Sequence, residues 1–205
     1  MKYESIDSKL FIKNRANFSR EMKKNSIAFF NSNDIYPVSA DSTLPFEQHR
    51  DIFYLSGIDQ EESILVLCPD NPNPDLREIL FLKETNDHIA VWEGPKINKT
   101  QALEISGIKT VFWLKDLEKL VDKLVSTCHN IYFNKNEHYR AKIETETREA
   151  RFNIWLEKKY PKKNKERSNP ILQRLRSIKD HKEISLIQQA CDITNKGFRR
   201  ILGFV

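Results

Sequence analysis

Glycine and cysteine are scarce in this 205-residue chain, and long apolar runs are missing. The five glycines (Gly57, Gly94, Gly107, Gly197 and Gly203) stand far apart, so no closely spaced set exists to cradle a phosphate. Five Gly and eight Pro exclude collagen-like and low-complexity architectures. The three cysteines form no C-x-x-C pair and the five histidines no H-E-x-x-H pair. Cys128 and His129 are adjacent, but two neighbouring ligands without a second pair make a weak metal site. No G-x-S-x-G is present, so a choice among the many serines for nucleophilic catalysis would be arbitrary. The longest apolar runs, such as Ile64 to Cys68, are too short to span a bilayer. The opening MKYESIDSKLF lacks the apolar h-region of a signal peptide. Free thiols, a reducing compartment and a cytoplasmic location are the expectation, with no membrane partner.

What is present is a globular composition: 39% hydrophobic and 31% charged residues. The charge is uneven. Residues 1–150 hold 20 basic and 24 acidic side chains, whereas residues 151–200 hold 14 basic and 5 acidic, so the net +5 belongs to the last quarter. Within it Lys158, Lys159, Lys162, Lys163, Lys165 and Arg167 are concentrated around Tyr160 and Pro161. A nucleic-acid surface would pair such a run with a reading helix or stacking aromatics. Only Tyr160 is interleaved, so a solvated linker is the preferred reading and no nucleic-acid partner is expected.

Periodicity predicts a helix over 8–24 carrying Leu10, Asn14, Phe18 and Met22 on one side. Strands are predicted at Ser26 to Asn31, Phe53 to Leu55, Ser63 to Cys68, Ile79 to Lys83, Ile89 to Trp92, Thr110 to Leu114 and Asn130 to Asn134. A short helix over 99–106 should close at Gly107. Asp116 should cap a helix with a stripe of Leu117, Leu120, Val121, Leu124 and Val125. A long polar helix over 136–160 would bury Tyr139, Ile143, Ala150 and Ile154. A helical stretch runs from Ile171 to Ile178. Asp180 and Glu183 then resemble a capping box opening a helix with Ile184, Ile187, Cys191, Thr194, Phe198 and Ile201 on one face. Strands alternating with helices predict an α/β fold, a mixed β-sheet flanked by helices.

The segment VSADSTLPFEQHRDIFYLSG, residues 38–57, packs Asp41, Ser42, Glu47, His49, Arg50 and Asp51 close to Phe53 and Tyr54. It reads equally as a loop stabilising itself through side-chain turns and as a surface presented to a ligand or subunit.

Its core, SADSTLPFEQHRDIFYLSG followed by SILVLC, closely resembles the N-terminal domain of the aminopeptidase P family in the creatinase/prolidase pita-bread superfamily. The resemblance continues at Val91-Trp92-Glu93-Gly94, similar to the family's Trp-x-Gly turn, and at Leu175 to Ile184, similar to the entry into its catalytic domain. It implies a creatinase N-terminal-domain-like (ribonuclease H-like) fold over 1–160, a basic linker over 161–179, and over 180–205 the first helix of a truncated catalytic domain. It also implies release of the N-terminal residue preceding proline by a cytoplasmic, oligomeric enzyme whose substrate is a peptide with proline at the second position. Two manganese ions, held by residues downstream of this chain, would activate a bridging water there. The chain itself should hold no cofactor and be inactive alone. Its partners would be its own catalytic domain and further copies of itself.

Two positions match family residues at the cleft. Trp92 matches a tryptophan that reaches into a neighbouring subunit's active site, and Asp41 matches the Ser-Ala-Asp aspartate that faces the cleft across a subunit contact. An ordinary buried aromatic and a turn-capping Asp are their bland readings. His49 and Arg50 fall where the family pattern varies. A stand-alone creatinase-type binding module and the N-terminal domain of a prolidase or creatinase relative remain as alternatives.

Overall fold

A computed structural model describes residues 5–140 and 144–204. It divides into two compact units, 1–172 and 173–205. The first is built on a six-stranded mixed sheet. Its strands are β1 (Ser26–Asn31), β4 (Ile64–Leu67), β5 (Glu78–Leu82), β6 (Thr110–Trp113), β7 (Asn130–Phe133) and β8 (Asn164–Arg167), in the order β6-β5-β4-β1-β7-β8. β1 pairs antiparallel with β4 and parallel with β7. β4–β5 is antiparallel, and β5–β6 and β7–β8 are parallel. The predicted mixed α/β architecture is thus the one found. A separate two-stranded hairpin, β2 (Pro37–Ser39) and β3 (Ser42–Thr43), stands outside the sheet.

β1 is central, and all six of its residues are buried, as expected for a strand covered on both faces. Its side chains alternate between the faces. Ile27 and Phe29 join Ile64, Val66, Ile79, Phe81, Ile131 and Phe133 under α5 (Leu117–Ser126) and α6 (Arg148–Lys159). α5 inserts Val121, Leu124 and Val125, part of the predicted stripe, but Asp116 at its N-cap is in helical backbone geometry and its side chain makes no capping hydrogen bond. On the other face Phe18 of α1 (Ser8–Glu21) meets Phe30 edge-to-face at 5.2 Å. Asp7 opens α1 by accepting from Lys9 N at 2.9 Å. α1 also buries Arg15 completely. That guanidinium donates to the Leu55 carbonyl at 2.8 Å and to Glu78 Oε2 at 2.9 Å, tying the helix to the sheet. α4 (Lys99–Ser106) ends at Gly107 as predicted, at φ 73°. A Cβ there would lie 2.6 Å from Ile12 of α1, so glycine serves both the turn and the approach.

Four further local expectations fail. Phe53 to Leu55 is not a strand but part of α2 (Arg50–Ser56). His49 caps it by accepting from Asp51 N, and Gly57 closes it in the left-handed region. A three-residue apolar run carries no period, and the caps decide. Ile89 to Trp92 is likewise helical, in α3 (Asp87–Glu93). Asn86 Oδ1 accepts from Ile89 N at 2.9 Å, and Gly94 ends it at φ 77°. The helix predicted over 136–160 starts only at Arg148, with Thr147 as its cap. Tyr139 is exposed and stacks on His138, Ile154 is half out, and Ile143 lies outside the described residues. The buried side of α6 is Glu149 and Leu156 instead.

The fourth failure is the basic run. Part of the stretch expected as a linker is β8, the sheet's edge strand, followed by α7 (Asn169–Ser177) with Ile171 and Leu172 buried. A strand needs only its backbone groups to join a ladder, and charged side chains on an edge block further pairing. The charges are also matched. Lys165 meets Glu157 at 3.2 Å, Lys23 meets Glu166 at 2.5 Å, and Arg167 pairs with Glu137.

The second unit contains α8 (His181–Leu202). Its capping box forms as predicted, with Asp180 accepting from Lys182 N and Glu183 accepting from Asp180 N, both at 2.8 Å. Its apolar residues Ile184, Ile187, Phe198 and Ile201 are exposed.

Candidate functional site

The carboxyl ends of β1 and β7 lie side by side where the sheet passes from parallel to antiparallel pairing, and open α/β sheets bind ligands beyond such ends. Both strands finish in asparagine or run directly into it. Asn31 Nδ2 donates to Glu149 Oε1 at 3.0 Å. Asn134 Nδ2 donates to Glu149 Oε2 at 3.2 Å and to Asp51 Oδ2 at 3.1 Å. The N-termini of α2 and α6 therefore converge on one buried carboxyl group. Burial, with Asp51 nearby, pushes Glu149 up to about 8 against the two amide donors that favour its anion. The Asn31 and Asn134 amide oxygens are buried without a partner. A proton on Glu149 gives one of them a donor once its amide turns over.

Above this cluster lies a cavity of about 490 Å³ walled by Ser32, His49, Lys135, Glu144, Arg148 and Glu149, among others. The loop before α2 is fixed by Gln48, whose buried amide donates to the carbonyls of Ile58 (3.0 Å) and Gln60 (2.9 Å). Asp34 holds the entrance of α6 by accepting from Arg148 N at 2.6 Å and pairing with Arg151. The second half of the segment 38–57 is thus tied to the residues that follow it. Among the described residues, no three His, Cys, Asp or Glu side chains converge to hold a metal ion. The donor set among these residues therefore does not fit a dinuclear centre.

The two residues singled out from sequence sit elsewhere. Asp41 lies at the turn of the β2–β3 hairpin, next to Ala40 at φ 50°, and is exposed. Trp92 lies near the end of α3 and is 80% exposed, so its bland reading as a buried aromatic fails. They occupy separate elements, and neither lines the cavity. Sequence reasoning missed Asn31, Asn134 and Glu149. The available signal was a polar residue closing each of two otherwise apolar strands, SIAFFN and NIYFN.

Residues 11–132 match the family model described as aminopeptidase P, N-terminal domain. The chain belongs to that family. Human Xaa-Pro aminopeptidase 3 is 28% identical over 170 residues, which are 82% of this chain and 33% of the human protein. The Xaa-Pro aminopeptidase of Escherichia coli is 22% identical over 205 residues, covering 96% of this chain and 45% of its own. A Bacillus anthracis structure described as an aminopeptidase P superposes with a TM-score of 0.85 at 26% identity, over 94% of this chain and 46% of that one. Zinc-substituted Escherichia coli aminopeptidase P in complex with product gives 0.72 at 20% identity, covering 93% and 43%, a likeness of fold. The chain thus spans a third to under half the length of the relatives it matches.

Proposed function

We propose that this chain is the N-terminal, non-catalytic domain of a Xaa-Pro aminopeptidase, which walls the substrate cleft and supplies subunit contacts. The observation that carries this reading is the family match across 11–132, combined with relatives about two to three times as long. The substrate of the whole protein is a peptide with proline at the second position. Two manganese ions act in the remaining part of the protein, and the residues described above hold none of the chemistry. Free Cys68, Cys128 and Cys191 suit a cytoplasmic location. We assign residues 1–172, the unit that includes β8, to the N-terminal domain, 173–179 to the passage out of it, and 180–205 to the catalytic domain's first helix. The exposed apolar face of α8 supports that last assignment, because such a face needs a partner surface.

Trp92 and Asp41 are the residues we place at the cleft and subunit contact. An indole left 80% in water carries apolar surface that another protein surface would cover. The test is the Trp92→Ala variant of the full-length enzyme on an Ala-Pro-containing peptide. The expected result is a fall in kcat/KM of about tenfold with an unchanged melting temperature. Unchanged kinetics would remove Trp92 from the cleft.

A further inference from the structure

We infer that Cys68 and Cys128 form a peroxide-responsive dithiol, a site at which hydrogen peroxide converts two buried thiols into one intramolecular disulfide. The two Sγ atoms lie 3.4 Å apart, although the residues are 60 positions apart in sequence. Cys68 follows β4 and Cys128 stands just ahead of β7. β4 runs antiparallel and β7 parallel to β1, so the end of one and the entry to the other meet at the same end of the sheet, beside the start of β1. Both backbones are anchored. Cys68 N donates to the Arg77 carbonyl at 2.8 Å, and Cys128 N donates to that of Val125 at 3.2 Å. A disulfide requires about 2.05 Å between sulfurs, so little more than side-chain rotation separates the pair from bonding distance.

The oxidant is selected by size. Cys68 and Cys128 are 1% and 3% exposed, and they line a cavity of only about 150 Å³ with Asn25, Asp70, Asn71, Pro72 and Thr127. Such a space admits peroxide and excludes a bulky disulfide. The charges around it assign the roles. Hydrogen bonding from Cys68, the Thr127 hydroxyl 3.9 Å from its sulfur and the nearby Lys163 ammonium hold the Cys128 thiol below its ordinary value. Burial and Asp70 oppose this. Lys163 is fixed there by its 2.5 Å bond to the Cys128 carbonyl. Cys68 is pushed up by donating to Cys128 and by burial. Cys128 is therefore the nucleophile and Cys68 the resolving thiol.

The Cys128 thiolate attacks one peroxide oxygen and the O–O bond breaks. The leaving hydroxide takes up the proton that Cys128 released, and Cys128 becomes a sulfenic acid. The Cys68 sulfur then attacks Cys128 Sγ. The S–S bond forms, the S–O bond breaks, and water leaves with the Cys68 proton. Two thiols and one hydrogen peroxide give one disulfide and two waters, and a dithiol reductant reverses the change.

The test exposes the full 205-residue chain to graded hydrogen peroxide, followed by alkylation under denaturing conditions and peptide mass mapping. A Cys68–Cys128 cross-linked peptide, lighter by about 2 Da than the reduced pair and restored by dithiothreitol, is expected. The oxidised chain should melt several degrees higher, because the cross-link closes a long loop. The Cys68→Ser variant should leave a Cys128 sulfenic acid that dimedone traps. Exposed Cys191 serves as the internal control. The proposal fails if Cys191 oxidises while Cys68 and Cys128 stay fully alkylatable, or if Cys128 passes to sulfinic acid without cross-linking. The wild-type mapping decides the question even if the variant does not fold.

Discussion

Glu149 is a residue whose chemistry departs far from its type. Burial keeps its carboxyl group protonated up to about pH 8, against an ordinary value near 4.5, although the amides of Asn31 and Asn134 favour the anion. Between those limits the folded chain keeps a proton that the unfolded chain has lost. Stability from this group is therefore complete below about pH 4.5, falls as pH rises towards 8, and is gone above it. The Glu149→Gln variant removes that slope. Unfolding free energies from urea titrations between pH 5 and pH 9 should fall for the wild type relative to the variant, by on the order of a few kcal/mol in all. Parallel curves would show that Glu149 titrates normally. Arg15 is a second such residue: its guanidinium is fully buried and one of its amino groups has no partner. Truncation by Arg15→Ala strands Glu78 and the Leu55 carbonyl, and should cost about 3 kcal/mol in denaturant unfolding.

At the scale of elements, the packing of α1 on β1 is the seam to cut. Phe18 is fully buried against Phe30, and Tyr132 lies 6.4 Å from it. Phe18→Ala leaves a phenyl-sized void and should lower stability by about 3–5 kcal/mol. A loss under 1 kcal/mol would mean that this seam relaxes freely. The elements legible from sequence were those with a sustained period or explicit caps. β1, β4, β5, β7, α5 and α8 all announce themselves by continuous apolar runs, heptad-like spacing or the Asp180–Glu183 box. α2 and α3 did not, because each is seven residues long and its identity rests on caps at His49 and Asn86. β8 was illegible for a different reason. Its residues, NKER, carry no apolar signal, and only the ladder to β7 makes them a strand. The Glu149 cluster escaped notice because the phase of α6 was set by Tyr139 and Ile154, both of which face water.

For the whole molecule the decisive quantity is length. Relatives that this chain covers to 33–45% imply a native polypeptide about two to three times its 24.2 kDa. An immunoblot of source-cell lysate should show a band in that range. A band at 24 kDa would instead favour a stand-alone binding module using its hairpin and loop surface. Purified alone with added Mn²⁺, the chain should not turn over an Ala-Pro-containing peptide, and sustained turnover by a clean preparation would overturn the division of labour proposed above.

The edge strand β8 also decides where a scalpel may pass. The family match stops at residue 132, inside β7, and the lysine-rich stretch after α6 is an inviting site for trypsin. A protein trimmed at residue 132 would lose the end of β7, and one cut after α6 would expose the buried NIYF strand along its whole length, an invitation to pair with neighbouring molecules. The smallest piece worth excising therefore runs through Arg167, and limited proteolysis of the folded chain should spare 164–167 while cutting exposed lysines elsewhere.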